Sequence, residues 1–184
     1  MSEIDFQQLV DGQYAPLYRF ALSLSKSEAE AADLTQQTFF LWASKGDQLR
    51  DRSKAKSWLF TTLYREFLGR QRHEVRFPKV ELDDVREEEM SILPNVNAFD
   101  SAIVLQALHE VEQPFRAPLT LFYLEQFSYQ EIADMLEVPI GTVMSRLSRG
   151  KTLLRSRLAG LSKEEVLGNK VVTLQSNRKE ESNG

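Results

Sequence analysis

Apolar residues in this chain recur at three- and four-residue intervals, and no run alternates apolar with polar. A period near 3.6 puts such residues on one helix face, whereas a half-buried strand needs a period of two. The pattern therefore predicts an all-α fold. Tyr14, Leu17, Tyr18, Ala21 and Leu24 mark a first helix. Ser27 and Glu30 form a capping-box pattern that opens a second, running through Leu34, Thr38, Leu41 and Trp42 to Gly46-Asp47. A third begins after Asp51-Arg52-Ser53, with Trp58, Leu59, Leu63 and Phe67 on one face, and fades into Arg70–His73. Residues 74–98, flanked by Pro78 and Pro94 and rich in Asp and Glu, read as an acidic linker. Helical patterning resumes at Phe99 and runs to Leu161. The expected organisation is two small helical domains, 1–73 and 99–161, joined by the linker and followed by a polar tail, 162–184, that frays from Gly168.

Charge is segregated along this frame. The net charge is −4, yet residues 52–80 carry eight bases against two acids, and residues 138–158 carry five bases and no acid. Between them, residues 101–137 hold one base and six acids. Two basic islands in an acidic chain, one per domain, point to two contacts with a polyanion.

Enzyme chemistry lacks its parts. Cysteine is absent, which removes thiolate metal sites, disulfides and cysteine nucleophiles together. His109-Glu110-Val111-Glu112-Gln113 begins like a zinc-protease motif but has Gln at the second ligand position. No glycine-rich phosphate loop is present, and the carboxylates are scattered. No metal, cofactor or catalytic centre is expected. The acidic start lacks a secretory pattern, and the longest apolar run, Phe39–Ala43, is far too short to span a bilayer. A soluble cytoplasmic protein is the expectation.

Ser128–Lys151 is the most informative stretch. Ser128 and Glu131 form a second capping box, opening a short helix with Ile132, Ala133 and Leu136 inward. A turn at Glu137-Val138 leads into a helix opening near Pro139, with Val143, Leu147 and Leu154 inward. This is a helix-turn-helix pattern. The other face of its second helix carries Thr142, Met144, Ser145, Arg146, Ser148, Arg149, Lys151 and Thr152. Hydroxyls and guanidinia reach bases and phosphates in a major groove, and an apolar Met can touch a thymine methyl.

The motifs Ser128-Tyr129-x-Glu131-Ile132-Ala133 and Pro139-Ile140-Gly141-Thr142-Val143-x-Ser145-Arg146-Leu147-x-Arg149 resemble region four of bacterial sigma factors, and the resemblance is closest to the extracytoplasmic-function (ECF) class. Leu17–Ala21, Ala32–Phe39 and Lys56–Phe60 resemble region two of the same class. The resemblance implies a transcription initiation factor without a catalytic centre, partnered by core RNA polymerase and promoter DNA, and often held inactive by an anti-sigma factor. It implies that Asp33, Gln36 and Gln37 dock on the polymerase clamp. It assigns the minus-ten element to the third helix, for which Lys56, Arg65, Arg70 and Arg72 are the candidate contacts. The helix-turn-helix would read the minus-thirty-five element. Trp58 is assigned to packing. Against the class pattern, Gln37 replaces a usual acid, Tyr64-Arg65 and Gly69 replace a usual Arg-Asn and Asp, Glu137 stands where Gly or Asn is common, and Met144 stands where a base is frequent. The competing reading is a stand-alone helix-turn-helix regulator that binds DNA without polymerase.

Overall fold

The computed structural model describes the backbone of residues 3–76 and 98–180, with side chains for 6–76 and 103–160. Most of the expected linker, residues 77–97, lies outside these described residues. Within them the fold is all-α: α1 (Glu3–Ser25), α2 (Glu28–Lys45), α3 (Ala55–Arg76), α4 (Ala98–Glu110), α5 (Gln113–Leu119), α6 (Tyr129–Leu136) and α7 (Ile140–Glu180). None of the described helices is long and apolar enough to cross a membrane.

Local chemistry explains the boundaries. Lys26 adopts a left-handed conformation (φ 61°) and its N–H returns to the Leu22 carbonyl, closing α1. Ser27 then caps α2, its hydroxyl accepting from the Glu30 N–H at 3.3 Å. Gly46 stops α2 beneath Trp42, where a Cβ would lie 2.8 Å from the indole. Asp51 accepts from the Ser53 N–H at 3.0 Å and starts the turn into α3. Pro114 sits in the first turn of α5, where a missing N–H costs nothing. A wider π-type turn, Thr120–Leu124, leads out of α5 toward the helix-turn-helix.

α1, α2 and α3 pack around Leu17, Phe20, Leu34, Trp42, Leu59, Phe60, Leu63 and Phe67, all nearly or fully buried. Fully burying such a side chain contributes roughly 1.5–3 kcal/mol. Trp58 packs edge-to-face on Trp42 at 5.2 Å, the packing role expected of it. α5, α6 and α7 close over Leu119, Leu121, Ile132, Met135, Val143 and Leu147. Gly150 answers to a close helix crossing, because a Cβ there would meet Leu119 Cδ1 at 3.0 Å and Phe115 Cβ at 3.1 Å.

Two features differ from the sequence expectation. α7 continues to Glu180 instead of fraying from Gly168. No proline follows Pro139, and the single Gly168 costs only about 1 kcal/mol of helix propensity. The second difference is larger: the two helical groups share one continuous core, with α1 packed on α4 and α5, and α3 packed on α6.

Candidate nucleic-acid and polymerase interface

The helix-turn-helix is built by its caps. The Ser128 hydroxyl accepts from the Glu131 N–H at 3.3 Å, and the Glu131 carboxylate accepts from the Ser128 N–H at 2.8 Å. These bonds, with the Ser128 hydroxyl donating to the same carboxylate at 2.7 Å, hold Glu131 below its ordinary carboxylate range. A lowered folded-state value stabilises the fold above the unfolded value, about pH 4.3, and the gain is lost as pH falls through the lower one. Ser128→Ala is expected to cost about 1 kcal/mol at pH 7 and to flatten the acid limb of stability, measured by urea unfolding between pH 7 and pH 3. An unchanged acid limb would contradict this assignment.

The turn between α6 and α7 places Glu137 in the left-handed region, φ 55° and ψ 44°. Glycine or asparagine would adopt that conformation with less strain. Ala133, 4% exposed, lets the two helices cross. α7 then buries Val143 and Leu147 while Met144, Ser145, Ser148, Arg149 and Lys151 stand exposed on its far side. Thr142 and Arg146 are half-buried. Met144 is 51% exposed, an apolar side chain held in solvent among polar neighbours. This face, free of acids from Ile140 to Leu158, has the shape and chemistry to enter a major groove.

On α2, Asp33 and Gln36 are exposed and Gln37 is half-buried, and their spacing groups them on one face. Sequence reasoning missed Phe40, which completes the stripe at i+7 from Asp33 and is 65% exposed. The signal was present: an aromatic on a face otherwise polar. An exposed aromatic ringed by polar groups is typical of a protein-binding centre.

The four candidate minus-ten residues on α3 are not gathered in one place. Arg72 is exposed, seven residues from Arg65 and so on the same side of the helix. Arg70 is half-buried beside a groove shared with Ser27, Glu30 and Asp33 of α2. Lys56 and Arg65 are engaged by the helix-turn-helix half of the molecule. The Lys56 ammonium donates to the Glu125 carbonyl at 2.9 Å and lies 4.5 Å from the Phe127 ring centroid. Arg65 pairs with Glu137, its Nε donating at 2.9 Å. Arg146 lies near Tyr64, whose hydroxyl burial pushes up while that guanidinium pulls it down.

Residues 9–77 match the family model "Sigma-70 region 2", and residues 101–165 match "Sigma-70, region 4". The ECF RNA polymerase sigma factor SigL of Mycobacterium tuberculosis is 32% identical over 157 residues, a match covering 83% of this chain and 88% of SigL. This chain is an ECF sigma factor by family. SigE of Mycolicibacterium smegmatis is likewise 32% identical, over 164 residues covering 86% of this chain, which spans only 63% of SigE. Among solved structures, the sigma factor RpoE from Bartonella quintana, crystallised in complex with the anti-sigma factor NepR, superposes with a TM-score of 0.71 at 32% identity. That match covers 84% of this sigma factor and 97% of the RpoE chain. The two matched regions coincide with the α1–α3 group and with the group that opens at α4.

Proposed function

We infer that this sigma factor binds core RNA polymerase and directs it to promoters, region 2 serving the minus-ten element and region 4 the minus-thirty-five element. The observation that carries the reading is a solvent-facing surface of the first turns of α7, free of acids from Ile140 to Leu158, on a helix-turn-helix, joined in one chain to a region 2 that presents Asp33, Gln36, Gln37 and Phe40. A stand-alone DNA-binding regulator has no use for that second surface. The protein is an initiation factor acting by binding, without catalysis or cofactor, in the cytoplasm where polymerase and promoters are. An anti-sigma protein is the expected negative partner, by analogy with the complex formed by the Bartonella RpoE. Capture of core polymerase by the tagged chain tests the reading. Stoichiometric capture is expected, and failure to retain the core enzyme at low salt contradicts it.

Residue roles on α7 divide by chemistry. Arg149, further along the helix, holds phosphate, while Met144 and Ser145 lie nearer the bases. Arg149→Ala is expected to weaken upstream-element binding similarly across sequences and to lower the salt slope by about one. Met144→Ala or Ser145→Ala is expected to change which upstream sequences are preferred, a good base contact carrying about 1–3 kcal/mol of discrimination. Holoenzyme binding to a randomised minus-thirty-five library at two salt concentrations reads both. An altered preference for Arg149→Ala with an intact slope reverses the assignment.

A further inference from the structure

The first turn of α7 carries a glycine that packing does not account for. Gly141 is exposed, and a Cβ there would meet nothing within 4 Å. Gly150, on the same helix, is needed where α7 crosses α5, but Gly141 has no such neighbour. Glycine weakens a helix relative to alanine, so a bare position on an open face suits close approach by something outside the chain. Two exposed apolar side chains stand beside it: Ile140 is 43% exposed and Met144 51%. Residues at i and i+4 lie on one side of a helix about 5–6 Å apart, and long helical side chains lean toward the N-terminus, so Met144 lies back over the turn that holds Gly141. The result is a shallow notch with the Gly141 backbone as floor, Ile140 and Met144 as apolar walls and Ser145 at the polar edge. The Ser145 hydroxyl donates to the Thr142 carbonyl at 3.4 Å, which turns its proton back to the helix. Val143 and Leu147 are buried on the opposite side, and Arg149 and Lys151 stand exposed further along.

Resting on the sigma-factor reading, we propose that this notch reads the C5-methyl group of thymine in the upstream element, with Ile140 a base-reading residue beside Met144 and Gly141 the position that lets the helix come close enough. The chemistry of the base edges selects thymine. In the major groove guanine shows two acceptors, adenine an acceptor and a donor, and cytosine a donor; thymine alone adds a methyl group. Seating Ile140 and Met144 against guanine, adenine or cytosine would take a polar atom out of water without giving it a partner. Against thymine the same side chains bury an apolar group. The place on the helix fits, because the N-terminal residues of the second helix of a helix-turn-helix contact base edges while cations hold phosphates. The surrounding charge fits as well: no acid occurs from Ile140 to Leu158, and a basic face around an apolar notch complements a polyanion. Successive bases rise about 3.4 Å and are rotated, so two side chains about 5–6 Å apart reach the methyl groups of two neighbouring thymines on one strand.

Deoxyuridine tests the notch, because it pairs as thymine does and lacks only the methyl group. The probe is the duplex that holoenzyme selects from a randomised minus-thirty-five library, synthesised once with thymine and once with deoxyuridine at the selected thymines. Each buried methyl removed is expected to weaken binding by wild-type holoenzyme about fourfold, and two of them about tenfold or more. With Ile140→Ala plus Met144→Ala, the thymine and deoxyuridine duplexes are expected to bind within about twofold of each other. Gly141→Ala is expected to keep or raise the melting temperature, since alanine favours the helix and its Cβ meets no neighbour, yet to weaken binding to the thymine duplex at least about tenfold. Equal binding of the two duplexes by wild type, a selected element without thymine, or full affinity of Gly141→Ala overturns the proposal. Weakened core-polymerase binding by the Ile140 and Met144 variant, with its preference for thymine intact, makes the patch a protein contact and overturns it too. If holoenzyme selects no sequence at all, the sigma-factor reading itself fails and the notch with it.

Discussion

Phe40→Asp is expected to lower affinity for core RNA polymerase by about tenfold to a hundredfold while leaving the melting temperature nearly unchanged. The side chain is 65% exposed, so its removal takes little from the core of region 2. It stands at i+3, i+4 and i+7 from Gln37, Gln36 and Asp33, which makes it the apolar centre of an otherwise polar stripe. Aromatic centres of that kind can carry about 2 kcal/mol or more of a protein–protein interface, and a buried unpaired carboxylate adds to the loss. Asp33→Arg with Gln36→Ala is expected to act in the same direction with a smaller effect, because rim contacts are screened by water and salt. Titration of labelled chain with core enzyme checks both. Unchanged affinity for Phe40→Asp would return the stripe to an ordinary solvated helix face.

Trp42→Ala is expected to destabilise the protein by about 3–5 kcal/mol, a large share of the roughly 5–15 kcal/mol that holds a typical domain. Trp42 is 2% exposed and lies against Gly46, Trp58 and the Arg52 guanidinium. Its removal leaves a cavity at the point where α2 ends and the chain turns toward α3. Chemical denaturation measures the loss. Phe39 and Thr38 on the same helix are also buried, so the stripe of α2 that carries Asp33, Gln36, Gln37 and Phe40 should loosen with the cavity. A destabilisation below about 1 kcal/mol would mean that the two tryptophans do not share the core as described.

Much of this was legible in the amino-acid order because local chemistry set it. The capping box at Ser128, the N-cap at Ser27 and the apolar spacing of α1–α3 each follow from residues within one or two helical turns; at Ser27 the reciprocal half of the expected box is replaced by the Ser25 hydroxyl, which accepts from the Ser27 N–H. Glu137 was readable as a turn residue out of its preferred conformation, and it does take positive φ. Its partnership with Arg65 was not readable, because 72 residues separate the two and no local rule links them. The same holds for Glu125 with Arg19, 106 residues apart. One clue was available: Arg116 is the lone base among the six acids of residues 101–137, and the fold buries it against the carbonyl end of α1. The spacing of the candidate minus-ten cations, at positions 56, 65, 70 and 72, already spreads them around α3, but the engagement of Lys56 by Glu125 and of Arg65 by Glu137 was not readable, because 69 and 72 residues separate the partners. Phe40 escaped because an aromatic at helical spacing is usually core, and only its neighbours at Gln36 and Gln37 mark it as outward.

The central claim is that this chain directs core polymerase to specific promoters. Reconstituted transcription from a genomic promoter library, with core enzyme alone and with core enzyme plus the chain, tests it most directly. Discrete start sites that depend on the chain, preceded by shared minus-ten and minus-thirty-five sequences, are the predicted result. Transcript patterns identical with and without the chain, across the whole library, would contradict it.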